Sequence, residues 1–241
     1  MSLIFGHRGA SGYAPENTLE AFRLAMQMGA DGFELDVHMS RDGELVVIHD
    51  ETLERTTSGK GFVRDHTLAQ LQALDASCGM EAYRGVKIPT LAQVFQLVQN
   101  TRHLVNVEIK TDEYFYPGIE QACVELAREM GVADRIIYSS FNHFTLLRLR
   151  ELAPDAKLGM LFGDILLEPW EYAKALPVDY LHPMKMNIYV PDFAEHTKKA
   201  GYGINMWTIN DPETMTLCLE KGVGIITNYP DLAVSLDPSR N

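Results

Sequence analysis

The stretch from Leu104 to Phe162 contains five segments in direct succession: LVNVEI at 104–109, GIEQACVELAREM at 118–130, RIIYS at 135–139, FTLLRLREL at 144–152 and LGMLF at 158–162. The first, third and fifth are short β-branched and apolar runs, which suit buried strands. The second and fourth repeat apolar residues every three or four positions, the spacing of one helix face. Strands separated by helices of this length pair in parallel, because the helix supplies the crossover. The same alternation continues on both sides, with strands at Leu3–His7 and Gly32–Val37, then Tyr180–His182, Ile204–Ile209 and Gly224–Thr227. Further helical patterns lie at Asn17–Met28, Leu91–Val98, Pro169–Ala175, Asp192–Ala200 and Pro212–Glu220. Eight strands alternating with helices predict an α/β fold of the (β/α)8, or TIM-barrel, type. A doubly wound open sheet is the competing architecture, and the Gly-x-Gly-x-x-Gly that would favour it does not follow the first strand.

Two features interrupt the rhythm. Leu45–Ile48 follows the second strand too closely for a helical crossover, and Asp42-Gly43 between them is a hairpin signal. With those two residues as the turn, His49 lies directly opposite Asp36, at a Cα separation of roughly 4.5–5.5 Å. Glu51–Lys87 then opens with Thr56-Thr57-Ser58-Gly59-Lys60-Gly61 and holds one short helical pattern, Thr67–Leu74. It reads as a small cap inserted over the barrel at about residues 51–87. Asn17-Thr18-Leu19-Glu20 has the spelling of a capping box, with Asn17 as the cap. No linker or repeat marks a boundary, so residues 1–241 are read as one domain.

The 21 Lys and Arg against 33 Asp and Glu leave a net charge of −12. That surplus opposes binding to nucleic acid or to an anionic membrane face, and any phosphate site must be locally positive. The longest run without Asp, Glu, Lys or Arg, Ile88–Thr101, falls short of the ~20 apolar residues that cross a bilayer. His7-Arg8-Gly9 follows the start too soon for a leader peptide, so a cytoplasmic location is expected. Cys78, Cys123 and Cys218 are widely spaced and odd in number, the pattern of buried, unreactive thiols rather than of disulfides or a zinc site.

Active-site groups of a barrel lie at the C-terminal ends of its strands. There the sequence has His7-Arg8, Glu34-x-Asp36, His49-Asp50 and Glu108-x-Lys110. Glu34 and Asp36, two apart on a strand, face the same side with Cα atoms about 6.6 Å apart, and Glu108 adds a third hard oxygen ligand. Such a set favours Mg²⁺, Mn²⁺ or Ca²⁺. A phosphodiester needs a cation for its nonbridging oxygens, a base for the attacking oxygen and an acid for the leaving one. His7 and His49 suit the last two roles, while Arg8 and Lys110 add positive charge for the phosphoryl group.

His7-Arg8-Gly9-Ala10, Pro15-Glu16-Asn17-Thr18, Glu34-Leu35-Asp36-Val37, His49-Asp50 with Leu53 and Arg55-Thr56-Thr57, Ile88-Pro89-Thr90-Leu91, Glu108-Ile109-Lys110 and Trp207-Thr208 together resemble the glycerophosphodiester phosphodiesterase family. The resemblance spans nearly the whole chain. It implies a barrel with a small insertion after the hairpin, one divalent cation, and hydrolysis of deacylated phospholipids to glycerol 3-phosphate and an alcohol. Carried over, it makes Glu34, Asp36 and Glu108 metal ligands, His7 and His49 the acid–base pair, and Arg8 and Lys110 phosphate contacts. Trp207 is expected either against the glycerol moiety or in the core. The expected partner is a small glycerophosphodiester, with neither nucleic acid nor stable membrane association. The alternatives are a phospholipase C- or D-like enzyme on intact lipid, for which only Leu161–Leu167 offers an apolar rim segment, and a noncatalytic barrel that binds glycerophosphodiesters.

Overall fold

The computed structural model describes residues 2–240. Nine strands form one sheet: β1 (Ile4–Gly6), β2 (Gly32–Met39), β3 (Leu45–Val47), β4 (Leu104–Ile109), β5 (Ile136–Ser140), β6 (Lys157–Phe162), β7 (Tyr180–Pro183), β8 (Gly203–Met206) and β9 (Gly224–Thr227). All but β3 pair in parallel around a ring that closes where β1 meets both β2 and β9. Helices α1 (Leu19–Gln27), α3 (Leu91–Val98), α4 (Ile119–Glu129), α5 (His143–Leu152), α6 (Pro169–Ala173), α7 (Phe193–Lys199), α8 (Pro212–Glu220) and α9 (Pro230–Leu236) follow the barrel strands in turn. This is the TIM barrel the alternation predicts. No helix among the described residues is long and apolar enough to cross a membrane.

The two faces of each barrel strand carry different chemistry, following the period of two. On β2 and β4, Phe33, Leu35, Val37, Val105, Val107 and Ile109 join the large apolar core, which also takes in helix residues such as Leu91, Val94 and Phe95. The alternate residues, Glu34, Asp36, Asn106 and Glu108, project to the other face. Register places Glu34 beside Asn106 and Asp36 beside Glu108. The interior of the ring is thus unusually polar toward one end, with Phe5, Ile137 and Ile226 clustered in an apolar layer of their own. Gly159 is needed where β6 passes β7, since a Cβ there would lie 2.5 Å from the ring of buried His182.

The hairpin differs from its expected register by one residue. Val37 pairs with Val47, Ser40 N–H donates to the Glu44 carbonyl at 2.9 Å, and Gly43 N–H donates to the Ser40 carbonyl at 3.0 Å. The loop is therefore Arg41-Asp42-Gly43, a three-residue connection ending in Gly43 at φ +87°. Ile48, not His49, stands opposite Asp36, and its N–H donates to the Asp36 carbonyl at 3.1 Å. Residues 51–87 continue from β3 as irregular chain with one short helix, α2 (Leu68–Ala73), capped by a reciprocal Thr67–Gln70 box. Leu53, Val63, Leu71 and Ala76 form a separate small core there against Val46, Ile48 and Ile88. The one helix missing from the sequence reading is α9, which opens on Pro230 and packs against β1 and β9.

Candidate active site

The side chains singled out from the sequence meet at the C-terminal mouth of the barrel. His7, Arg8, Glu34, His49, Glu108 and Trp207 line one pocket with Asn106, Phe141, Leu161 and Ile226. Asp36 and Lys110 lie immediately behind its wall.

His7 leaves β1 with its N–H bonded to the Thr227 carbonyl at 2.7 Å, and its Nδ1 is 2.7 Å from Asn228 Oδ1. With the Asn228 carbonyl oxygen as acceptor, Nδ1 carries the proton and Nε2 is left as the acceptor facing the pocket. Burial first, and the neighbouring Arg8 charge second, push its pKa down to about 4, so the ring is neutral at pH 7. His49 Nδ1 lies 2.5 Å from Asp50 Oδ1. Burial alone would raise Asp50, but Arg55 and His49 outweigh it and hold the carboxylate ionised, well below its usual range. Behind His49, the buried His38 Nε2 donates to the His49 carbonyl at 3.0 Å and Tyr116 Oη is 3.0 Å from His38 Nδ1.

Glu34, Asp36 and Glu108 are all buried, and one carboxylate oxygen from each lies within 4.8 Å of the others. Burial, then repulsion from Asp36 and Glu108, raise Glu34 well above the ordinary carboxylate range. Glu108 is also raised, by burial and by Asp36, although Lys110 Nζ donates to its Oε1 at 2.9 Å. Asp36 goes the other way, down to about 2, because Arg8, His49 and Lys110 overcome its burial. Three acidic groups held away from water, two of them with raised pKa despite Arg8 and Lys110 nearby, are relieved by further positive charge. A small divalent cation fits both the donor chemistry and the spacing.

Arg8 serves this cluster from an unusual backbone. At φ +55°, its N–H donates to Glu34 Oε2 at 2.9 Å and its Nη1 to Glu16 at 2.8 Å, while Nε, buried 3.4 Å from Asp36, has no hydrogen-bond partner. Asn17 does not cap α1. Thr18 does so through the Ala21 N–H, whereas Asn17, at φ +57°, donates from Nδ2 to Asp36 Oδ2 at 2.8 Å and accepts from the Asp36 N–H. It fixes a carboxylate of the triad from behind. Trp207 stands in the pocket wall, its Nε1 donating to the His182 carbonyl at 2.8 Å and its ring meeting Phe141 edge-on at 5.5 Å. Sequence reasoning missed Asn228, His38 and this role of Asn17, since all three act through partners distant in the chain.

Fold and site together define a TIM-barrel enzyme with paired histidines over a buried carboxylate triad. The chain matches the glycerophosphoryl diester phosphodiesterase family over residues 7–232. It is 44% identical over 237 residues to a glycerophosphodiester phosphodiesterase of Caldanaerobacter subterraneus subsp. tengcongensis, covering 98% of this chain and 97% of that one. To a glycerophosphodiester phosphodiesterase of Bacillus altitudinis it is 40% identical, over 98% of each. Among solved structures, an Oleispira antarctica phosphodiesterase in complex with the product sn-glycerol-3-phosphate aligns with a TM-score of 0.89 and 32% identity, over 98% of this chain and 96% of that one. The chain belongs to the glycerophosphoryl diester phosphodiesterase family and is a phosphoric diester hydrolase.

Proposed function

We propose that the protein hydrolyses glycerophosphodiesters to sn-glycerol 3-phosphate and an alcohol, using His7 as base and His49 as acid with a divalent cation on Glu34, Asp36 and Glu108. The observation that carries this reading is the convergence of both histidines on one pocket beside the carboxylate triad. Glu34, Asp36 and Glu108 would hold Mg²⁺ or Ca²⁺, with Mn²⁺ a further hard ion, which would supply Lewis-acid neutralisation of phosphoryl charge. Arg8, whose Nε faces Asp36 at 3.4 Å without a hydrogen bond, and Lys110 share that task. His7 Nε2 takes the proton from the attacking oxygen, which belongs to water or to the adjacent glycerol hydroxyl; in the second case the first product is a cyclic phosphate, which a water then opens to glycerol 3-phosphate with the two histidines exchanging roles. As the new P–O bond forms, the bond to the alcohol breaks and His49 returns a proton to the leaving oxygen. Asn228 and Asp50 hold the two rings for these opposite roles.

The whole chain, residues 1–241, acts in this reading as one domain, and its three unpaired cysteines, Cys123 and Cys218 buried as expected but Cys78 exposed on the cap, suit the reducing cytoplasm. The test is to incubate metal-stripped protein with glycerophosphocholine and glycerophosphoethanolamine, with and without Mg²⁺ or Ca²⁺, and couple glycerol 3-phosphate to its dehydrogenase. Metal-dependent release is expected; no release from a folded, metal-loaded protein would overturn the assignment.

A second reading keeps the chemistry and makes an intact lipid the substrate. Loops after β4 and β6 expose Phe115, Ile165 and Leu167, the last at 93%, and the first turn of α5 exposes Phe144 at 71%, an apolar rim despite the net negative charge. Cosedimentation with zwitterionic vesicles, together with turnover of intact lipid, would favour it; turnover of water-soluble diesters alone favours the first.

A further inference from the structure

The cap places one guanidinium between two carboxylates from different parts of the fold. Arg55 Nε and Nη2 donate to Asp50 Oδ2 and Oδ1 at 2.7 and 2.8 Å, while Nη1 and Nη2 donate to Glu16 Oε2 and Oε1 at 2.7 and 2.8 Å. Both carboxylates are thus gripped through both oxygens. An isolated exposed ion pair contributes little, yet a planar fork bound on two sides has almost no rotational freedom. Each partner is also engaged at the mouth. Glu16 Oε1 accepts from Arg8, and Asp50 Oδ1 accepts from the His49 ring. Arg8 and Glu16 lie before α1, His49 and Asp50 follow β3, and Arg55 comes from the cap, so the guanidinium ties three segments together.

Asp50 needs this tie. Its side chain is partly exposed, on a segment that has just left the sheet, and a free carboxylate there would sample several rotamers. We propose that Arg55 is a positioning residue: by clamping Asp50 against Glu16 it fixes the carboxylate that holds the His49 ring, and its effect on turnover passes through His49. This rests on the reading of His49 as an acid–base group. Small misplacements of such a group cost up to about 100-fold in rate, and loss of the group itself about 10²–10⁴-fold.

A double-mutant cycle on metal-loaded full-length protein tests it, with glycerophosphocholine as substrate. Arg55→Ala is expected to lower kcat about 10- to 100-fold with KM within about threefold, at an unchanged far-ultraviolet dichroism spectrum. In a His49→Asn background the same substitution is expected to cost no more than about twofold. Arg55→Lys keeps the charge and loses the fork, so it should resemble the alanine variant; Arg55→Gln repeats the cycle if the alanine variant does not fold. Equal losses in both backgrounds, or wild-type kcat in the Ala or Lys variant, would overturn the proposal. Wild-type turnover in His49→Asn alone identifies a failure of the parent reading, and Arg55 then has no residue to act through.

Discussion

Asn17 shows how a residue can have one reading in its neighbourhood and another in the fold. Its spacing to Glu20 has the form of a helix cap, but its amide reaches Asp36, 19 residues away, and both accepts from the backbone and donates to the side chain. Asp36 is the one member of the triad held clearly ionised, and Asn17 contributes to that. Asn17→Ala is therefore expected to weaken cation binding by about tenfold, the lower end of what losing a partner behind a ligand costs, while leaving α1 capped by Thr18. Titration of the cation by isothermal calorimetry measures it, and an unchanged affinity would return Asn17 to a purely structural role. Cation binding itself should raise the melting temperature, by an amount equivalent to ~2.7 kcal/mol at 100 times the dissociation constant. Glu108→Gln should abolish that shift, as read by differential scanning fluorimetry.

At the scale of elements, the hairpin between β2 and β3 carries His49 to the mouth, and its geometry depends on Gly43. No atom crowds the position where a Cβ would be built, so the cost of Gly43→Ala comes from the left-handed backbone alone, about 1–2 kcal/mol. Urea unfolding should show this loss with little change in kcat; a large fall in kcat would mean that the loop also sets the approach of His49. The same hairpin shows what was legible beforehand. Asp42-Gly43 announced a turn, yet two- and three-residue loops share that spelling, and the choice decides which residue faces Asp36. The eight barrel strands were legible because a strand buried on its outer face must be written in Val, Ile and Leu. The charged pairs stood out because Glu34, Asp36, Glu108 and Lys110 interrupt such runs. Asn228 carried no comparable local signal, since an Asn before Tyr-Pro is an ordinary loop residue until the ring closes, and Arg55 stood in a motif of the resemblance without its spelling showing that it reaches Asp50 and Glu16 together.

Over the whole molecule, three histidines, the buried His38 and His182 and the half-buried His7, link the interior to pH. Burial lowers His7 and His38 to about 4, His38 against an opposing hydrogen bond to His49, and lowers His182 to about 3. Each is neutral in the folded state while the unfolded chain protonates near 6.5, so below that value the unfolded state binds more protons. Their contribution to stability is present above about pH 6.5 and is lost as pH falls toward 4. In the metal-free protein, Glu34 and Glu108 act in the opposite sense. Raised in the folded state, they favour folding below the ordinary carboxylate pKa and lose that contribution as pH rises through their folded values. Melting temperatures recorded with and without cation should therefore diverge as pH rises, since bound cation removes the carboxylate penalty. Parallel curves would show that the triad ionises without help.

The bond between His7 and Asn228 spans 221 positions of the chain. During synthesis, the first histidine is therefore made almost at once, while the group that sets its tautomer arrives near the end, along with the strand that closes the ring. A ribosome-bound chain can already hold Glu34, Asp36, Glu108 and both histidines while Asn228, which orients the proposed base, is still to come. On the proposed mechanism, hydrolytic competence therefore waits for completion of the barrel.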